Sequence, residues 1–167
     1  EEDFEKREKH VKRIKDSVKN LTDILEDFLS IGKLEDGRIS LRYEETNIRE
    51  FIETICNEKQ EDLAKENQKI VFQFEGNEWA LCDKYILRNM MINLISNAIK
   101  FSPLDGTIEV SIASGAQEIM LCVKDQGIGI SKEDQEHLFE RFFRGQNASN
   151  IQGTGLGLHI VSRYLNL

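Results

Sequence analysis

Four short stretches of this sequence bring together residue types that can handle a nucleotide. The first is Asn93-Leu-Ile-Ser-Asn97-Ala-Ile-Lys100. At about 100° per residue on a helix, positions 89, 93, 97 and 100 fall in one stripe. That stripe is Asn89, Asn93, Asn97 and Lys100. Asparagine is a mediocre helix former, so an ordinary solvated face would more easily be built from Glu or Lys. Amide oxygens can ligate Mg²⁺, and an ammonium can meet phosphate charge. The second stretch is Asp125-Gln-Gly127-Ile-Gly129-Ile. A carboxylate here can accept from an amine such as the adenine N6, and the glycines allow close approach of a ligand to the backbone. A plain strand-to-helix turn uses the same residues. The third is Gly153-Thr154-Gly155-Leu156-Gly157-Leu158. Where such a run opens a helix, free N–H groups and the positive dipole end suit phosphate. It is neither a Walker loop nor a dinucleotide fingerprint, because no Gly-Lys-Ser/Thr closes it and the glycine spacing is GxGxG. A glycine hinge is the alternative. The fourth is Leu138-Phe139-Glu140-Arg141-Phe142-Phe143-Arg144. Its phenylalanines suit a core, and Arg144 stands where it can reach a terminal phosphate.

These residues need elements to position them. Residues 1–33 read as one long helix with an a/d seam: Phe4, Val11, Val18 and Leu25 in one series, Ile14, Leu21 and Phe28 in the other, broken by Arg7. Such a narrow apolar seam asks for another helix. Gly32 to Gly37 ends it. Residues 38–44 alternate as a strand. Asn47 and Glu50 have capping-box spacing before a helix with Ile48, Phe51, Ile52, Ile55, Cys56, Leu63 and Ala64 on one face. Residues 69–74 read as a strand, and a short apolar stretch, Trp79 to Cys82, follows. Asp83 is a plausible N-cap for the helix that carries the asparagines, and the single proline, Pro103, marks its end. Its apolar face is Ile86, Leu87, Met90, Met91, Leu94, Ile95, Ala98 and Ile99. Residues 107–113 and 118–124 form a hairpin. Ser131 and Asp134 cap a short helix through about Phe139. Residues 144–153 are polar, and a last helix starts near Gly155. The mixed order of helices and antiparallel strands implies an α+β fold, a two-layer α/β sandwich with helices on one face of a sheet.

A length of 167 residues suits one domain plus an attachment, and 40% hydrophobic residues supply a core. The net charge of −8 argues against nonspecific nucleic-acid binding. No apolar run approaches the roughly 18–20 residues of a membrane span, and no secretory signal opens the chain. Cys56, Cys82 and Cys122 sit among apolar neighbours without metal-site or CxxC spacing, and read as buried free thiols in a reducing cytosol.

In order and spacing, residues 93–100, 125–130, 139–144 and 153–158 resemble the N, G1, F and G2 boxes of the catalytic domain of sensor histidine kinases. The run Leu-Phe-Glu-Arg-Phe-Phe-Arg followed by Gly-Thr-Gly-Leu-Gly-Leu is highly specific, and the match spans most of residues 38–167. The helix ending Asp-Phe-Leu-Ser-Ile-Gly-Lys-Leu-Glu-Asp-Gly is similar to the second dimerisation helix that enters that domain. The resemblance implies residues 1–35 as that helix and residues 38–167 as an ATP-binding catalytic domain of the Bergerat fold. It further implies Asn97 as an Mg²⁺ ligand with Asn93 assisting, Lys100 near the phosphates, and Asp125 reading adenine. Gly127 and Gly129 would let the lid move, and Arg144 would contact the γ-phosphate. Gly153, Thr154, Gly155, Leu156 and Gly157 would cradle phosphates, and residues 144–152 would form the lid. The implied cofactors are ATP and Mg²⁺. The implied partners are a response-regulator receiver domain and a second copy joined through residues 4–28. No nucleic acid and no direct membrane contact are expected, and the location is cytoplasmic, with a parent that can be membrane-anchored.

The sequence departs from that family in two places. None of His10, His137 and His159 has an acidic neighbour followed by a proline, so no phosphoacceptor is expected and neither is autophosphorylation. The chain also stops at Leu167, where family members continue into closing strands, so a C-terminally truncated domain with an exposed sheet edge and reduced stability is expected. Two other readings compete. One is a relative in the same ATPase fold group, such as an anti-sigma serine kinase or a chaperone-like ATPase. The other is a noncatalytic coiled-coil protein with a degenerate pocket.

Overall fold

The structure is a computed structural model. It describes residues 40–151 and 153–167, together with positions 7, 8, 10, 11, 13–15, 17, 18, 21, 22, 24, 25, 28, 29 and 32. The chain divides into two units, Glu1–Ile39 and Ser40–Leu167.

In the first unit every described position between 7 and 32 is helical, and we label this helix α1. Val11, Ile14, Val18, Leu21, Leu25 and Phe28, the described seam residues, are all exposed. Phe4 lies outside the described residues, as do the segment 33–39 and the start of the strand expected at 38–44. Residues 40–43 carry no regular structure, and the strand runs instead over Glu44–Asn47 (β1). Its register is set by antiparallel pairing with Trp79–Cys82 (β3), Glu44 facing Cys82 and Asn47 facing Trp79.

Asn47 then caps α2 (Ile48–Glu58), its Oδ1 accepting from the Glu50 N–H at 3.0 Å. The apolar face bends once, because Lys59 leaves helical geometry (φ −92°, ψ 2°), so a second short helix, α3 (Gln60–Lys65), completes it. Strand β2 (Lys69–Gly76) follows, then β3, then the long helix α4 (Lys84–Phe101). Strands β4 (Thr107–Ser114) and β5 (Ile119–Lys124) form the expected hairpin, closed by Gly115 N–H donating to Glu118 O at 2.9 Å. The sheet is not wholly antiparallel. β2 pairs parallel with β4, and α4 lies in the connection between them, as a parallel pair requires. The strand order is β2-β4-β5.

Alternation along each strand decides which face is covered. Ile108, Val110 and Ile112 of β4 are buried, and Ile70, Phe72 and Phe74 of β2 with Ile119, Leu121 and Val123 of β5 pack beside them. Against this face lie Ile48, Ile52 and Ile55 of α2 and Leu87, Met91, Ile95 and Ala98 of α4. Full burial of one such aliphatic side chain stabilises by about 1.5–3 kcal/mol. The opposite face of the sheet carries Gln73, Glu109, Met120, Cys122 and Lys124. Cys56 is buried as expected, Cys82 is partly covered, but Cys122 is exposed because it falls on the outward positions of β5.

Beyond the sheet, Ser131 Oγ caps α5 through the Asp134 N–H at 3.0 Å, but this helix covers only Lys132–Gln135 and continues as turns rather than running to Phe139. A 3-10 turn spans Gln146–Ala148, and α6 spans Gly157–Leu165, starting two residues later than expected.

Candidate nucleotide site

The site is built around the C-terminal half of α4. Asp83 starts that helix by accepting from the Tyr85 and Ile86 N–H groups at 2.9 and 3.1 Å. Its other carboxylate oxygen takes the Arg42 N–H at 2.8 Å. The far end is held by a residue the sequence did not single out. The buried Gln68 amide donates to Ile99 O, Ser102 O and Pro103 O at 3.1, 3.2 and 3.1 Å. Ile99 O is one of the carbonyls that a helix end otherwise leaves unpaired, and Pro103 O also accepts from the Gly106 N–H at 3.2 Å. Gln68 sits at a helix-to-strand junction, where no periodicity marks it.

With both ends fixed, the buried face of α4 turns Asn93, Asn97 and Lys100 toward the partly covered side. Asn93 Nδ2 donates to Asn89 O at 2.9 Å, which leaves its Oδ1 directed at Gly157. A Cβ on Gly157 would stand 2.7 Å from that oxygen and 3.8 Å from Asn97 Nδ2. The same close approach recurs two turns further along α4, where a Cβ on Gly153 would meet the Lys100 ammonium. Glycine at 153 and 157 thus leaves the ends of the Lys100 and Asn93 side chains undisplaced where the loop lies against α4. Lys100 stands 4.8 Å from the centroid of the Phe101 ring. Burial pulls its pKa below the usual lysine value, and the positive charge of Arg144 adds to that. An ammonium so placed gains from an added anion.

Asp125 follows β5 directly, and its Oδ1 accepts from the Gly127 N–H at 2.8 Å. Gly127 rests on the end of α4, where a Cβ would lie 2.5 Å from Phe101 O. Four residues of α-helix separate Asn97 from Phe101, about 6 Å of rise. Asp125 is thus anchored beside the asparagine stripe, its carboxylate exposed. Gln126 fixes the same turn by accepting from the Thr107 N–H at 3.2 Å.

Between these loops runs the polar segment. Arg144 Nη2 donates to Ala148 O at 2.9 Å, Ser149 O at 3.0 Å and Ile151 O, so its guanidinium closes its own loop. Asn147 Nδ2 ties the loop to Gly129 O at 3.1 Å. Gln152 lies outside the described residues. Thr154 Oγ1 accepts from the Leu156 N–H at 3.1 Å, and Leu156 is buried beneath the turn. Gly155 takes φ +72° and passes so close to the 142–143 backbone that a Cβ would lie 2.7 Å from Phe142 C.

The structure therefore brings Asn93, Asn97, Lys100, Gly153 and Gly157 together, with Asp125 and Gly127 at the end of the same helix. Gly129 joins through Asn147. Arg144 is at the mouth of this surface, engaged with its own loop. Among the described residues no group of three or more His, Cys, Asp or Glu side chains is arranged to hold a metal ion. The oxygen donors on hand are amides, which fit a hard cation carried in with phosphates. No helix among the described residues is long and apolar enough to cross a membrane.

In this α+β domain an amide-and-lysine helix face thus stands opposite a glycine loop at a helix N-terminus. Residues 82–167 match the family model described as histidine kinase-, DNA gyrase B-, and HSP90-like ATPase, and the chain belongs to that ATP-binding family. Within it the likeness runs to sensor histidine kinases. The chain is 28% identical over 157 residues to sensor protein kinase PmrB of Pseudomonas aeruginosa, covering 90% of this chain and 31% of that protein. It is 32% identical over 155 residues to sensor protein CiaH of Streptococcus pneumoniae, covering 90% of this chain and 34% of that protein. The solved structure of Acinetobacter baumannii histidine kinase AdeS superposes with a TM-score of 0.73 at 26% identity, covering 89% of this chain and 68% of that one. The chain spans about a third of the length of the curated relatives it matches.

Proposed function

We propose that this chain is the Mg-ATP-binding catalytic module of a two-component protein-histidine kinase, residues 38–167, preceded in residues 1–35 by the second helix of its dimerisation domain. The whole protein transfers the γ-phosphoryl group of ATP to a histidine on a neighbouring helix, and the group then passes to an aspartate of a response-regulator receiver domain. The observation that carries this reading is the apposition of Asn93 and Lys100 with Gly157 and Gly153, amide oxygen and ammonium facing backbone stripped of side chains.

In this reading Asn97 and Asn93 offer their amide oxygens to Mg²⁺, which neutralises phosphate charge. Lys100 meets the phosphates, and its burial is offset by the anion. Gly153, Thr154, Gly155, Leu156 and Gly157 present backbone at the start of α6, where the helix dipole favours negative charge. Asp125 keeps one carboxylate oxygen free of the Gly127 bond and accepts from the adenine N6. Gly127 and Gly129 allow the neighbouring segment to move. Arg144 leaves its loop carbonyls for the γ-phosphate. The protein thus positions reactants and neutralises charge, which is what phosphoryl transfer asks of it. The exposed seam of α1 pairs with a second copy through residues 4–28.

Calorimetric titration with Mg-ADP tests the reading. Binding is expected for the native sequence, with Asn97→Ala and Asp125→Ala each losing it. Unchanged binding in both variants refutes the site. Incubation with γ-labelled ATP is expected to leave the chain unlabelled, since no histidine in it has the acceptor setting. Sedimentation is expected to show dimer at high concentration.

A further inference from the structure

His159 is the third residue of α6, two residues after the last glycine of the proposed phosphate loop, and is partly buried. Its Nδ1 lies 2.8 Å from Phe139 O, and Arg141 Nε donates to its Nε2 at 3.2 Å. A carbonyl oxygen only accepts, so Nδ1 carries the ring proton. A guanidinium N–H only donates, so Nε2 carries the lone pair. The ring is therefore one defined neutral tautomer that bridges α6 to two alternate residues of the 139–143 turn.

That turn is strained. Phe142 holds φ +61°, a left-handed conformation rare for a bulky residue. Its ring is 67% exposed, so burial of its own side chain does not hold it there. Such backbone persists only where its surroundings over-determine it. Two contacts do so here: the His159 bridge on one side, and on the other the close crossing of Gly155 over the Phe142 and Phe143 backbone. The next residue along, Arg144, opens the polar loop over Lys100.

We infer that His159 is a positioning residue for the nucleotide site: its Nδ1-H tautomer clamps the strained 139–143 turn to α6 and so fixes the distance between the loop carrying Arg144 and the glycine loop. This rests on the nucleotide-binding reading above. The side chain touches no ligand itself. It acts through the turn.

The test compares His159→Leu, which removes both bonds, with His159→Gln, whose amide can donate to Phe139 O and accept from Arg141. Mg-ADP titration is the readout, with the thermal midpoint measured in its absence. His159→Leu is expected to bind about fivefold to tenfold more weakly, because only part of the two lost bonds' contribution reaches the site through the turn. His159→Gln is expected to stay within about twofold of the native affinity on the same scale. Adding Phe142→Gly to His159→Leu is expected to recover binding, because glycine takes positive φ without the clamp. Native affinity in His159→Leu, or equal weakness in His159→Gln, overturns the inference while leaving the site intact. Failure of the native chain to bind Mg-ADP removes the site and the inference together. Should His159→Leu not fold, long-range ¹H–¹⁵N spectra of the native ring decide. A fixed Nδ1-H tautomer supports the clamp, and a proton on Nε2 or an exchange-averaged ring overturns it.

Discussion

The two walls of the proposed nucleotide site are made in different ways. One wall is α4, whose apolar face enters the core with Met91, Ile95 and Ala98 and whose ends are tied by Asp83 and Gln68. The other is the stretch 125–157, which contains no strand and only short helical pieces among its described residues. It is held by turn hydrogen bonds and scattered side-chain bonds: Asp125 to Gly127, Asn147 to Gly129, Arg144 to three carbonyls of its own loop, His159 to Phe139. The packed wall presents the polar groups, and the more lightly tied wall supplies the glycine backbone. Low-stability segments at a binding site are expected on general grounds. Here the difference is built from core side chains on one side and scattered hydrogen bonds on the other.

The comparison breaks hardest at the core. Ile52→Ala deletes a fully buried side chain between α2 and the sheet, and should lower stability by about 2–5 kcal/mol. Chemical denaturation checks it, and a loss much below that range would mean that the core shared by α2, α4 and the sheet is less well packed than described. Next in size is Gly157→Ala. The added methyl pushes aside Asn93 Oδ1, the end of a rotatable side chain, so its cost falls on the proposed site rather than on the fold. It should appear as weakened Mg-ADP binding with a nearly unchanged melting temperature. An equal drop in melting temperature would place the glycine loop in the packed wall instead.

Lys100→Met sharpens the contrast further. Burial and Arg144 disfavour the ammonium, so the variant should melt at the same temperature or slightly higher while binding Mg-ADP more weakly. A destabilised variant would contradict the assignment of Lys100 to the ligand rather than to the fold. The smallest effect belongs to His137. The hydrogen bond and charge of Glu140, 2.7 Å away, raise its pKa above the usual histidine value. Because the folded value is the higher one, this stabilisation is complete below the unfolded histidine value, about 6.5. It is lost as pH rises through the raised folded value. Both groups are well exposed, so the effect is local. Protection of the 136–140 amides against hydrogen exchange, corrected for intrinsic rate, should fall across that window in the native chain and stay level in His137→Ala.

Much of the packed wall was legible because it is periodic. The apolar spacing of Ile86 to Ile99 predicted the buried face of α4, and Asp83, Asn47 and Ser131 were all read correctly as caps. The glycines were legible as a pattern, but not the reason for each. Only coordinates show that Gly157 faces Asn93 and Gly153 faces Lys100. The hydrogen bonds of Gln68 and His159 have no signature in the sequence, for a common reason. Each acts on backbone carbonyls distant in sequence, and such bonds leave no local signal. The parallel pairing of β2 with β4 was likewise hidden, since strand direction depends on where α4 crosses. Cys122 was misjudged from its apolar neighbours. In a strand, alternate residues point to opposite faces, so apolar neighbours in sequence do not imply a buried side chain.

The three cysteines turn that alternation into a built-in reporter. Cys122 is exposed on the outer surface of the sheet, whereas burial, helped by Glu53, pushes the Cys56 thiol up to about 11. The thiolate is the reactive form. An alkylating dye should therefore modify Cys122 at once, Cys82 more slowly, and Cys56 only when α2 lifts from the sheet. The rate at which the last thiol is captured would time the opening of the hydrophobic layer in the unaltered protein, with no label engineered near the nucleotide.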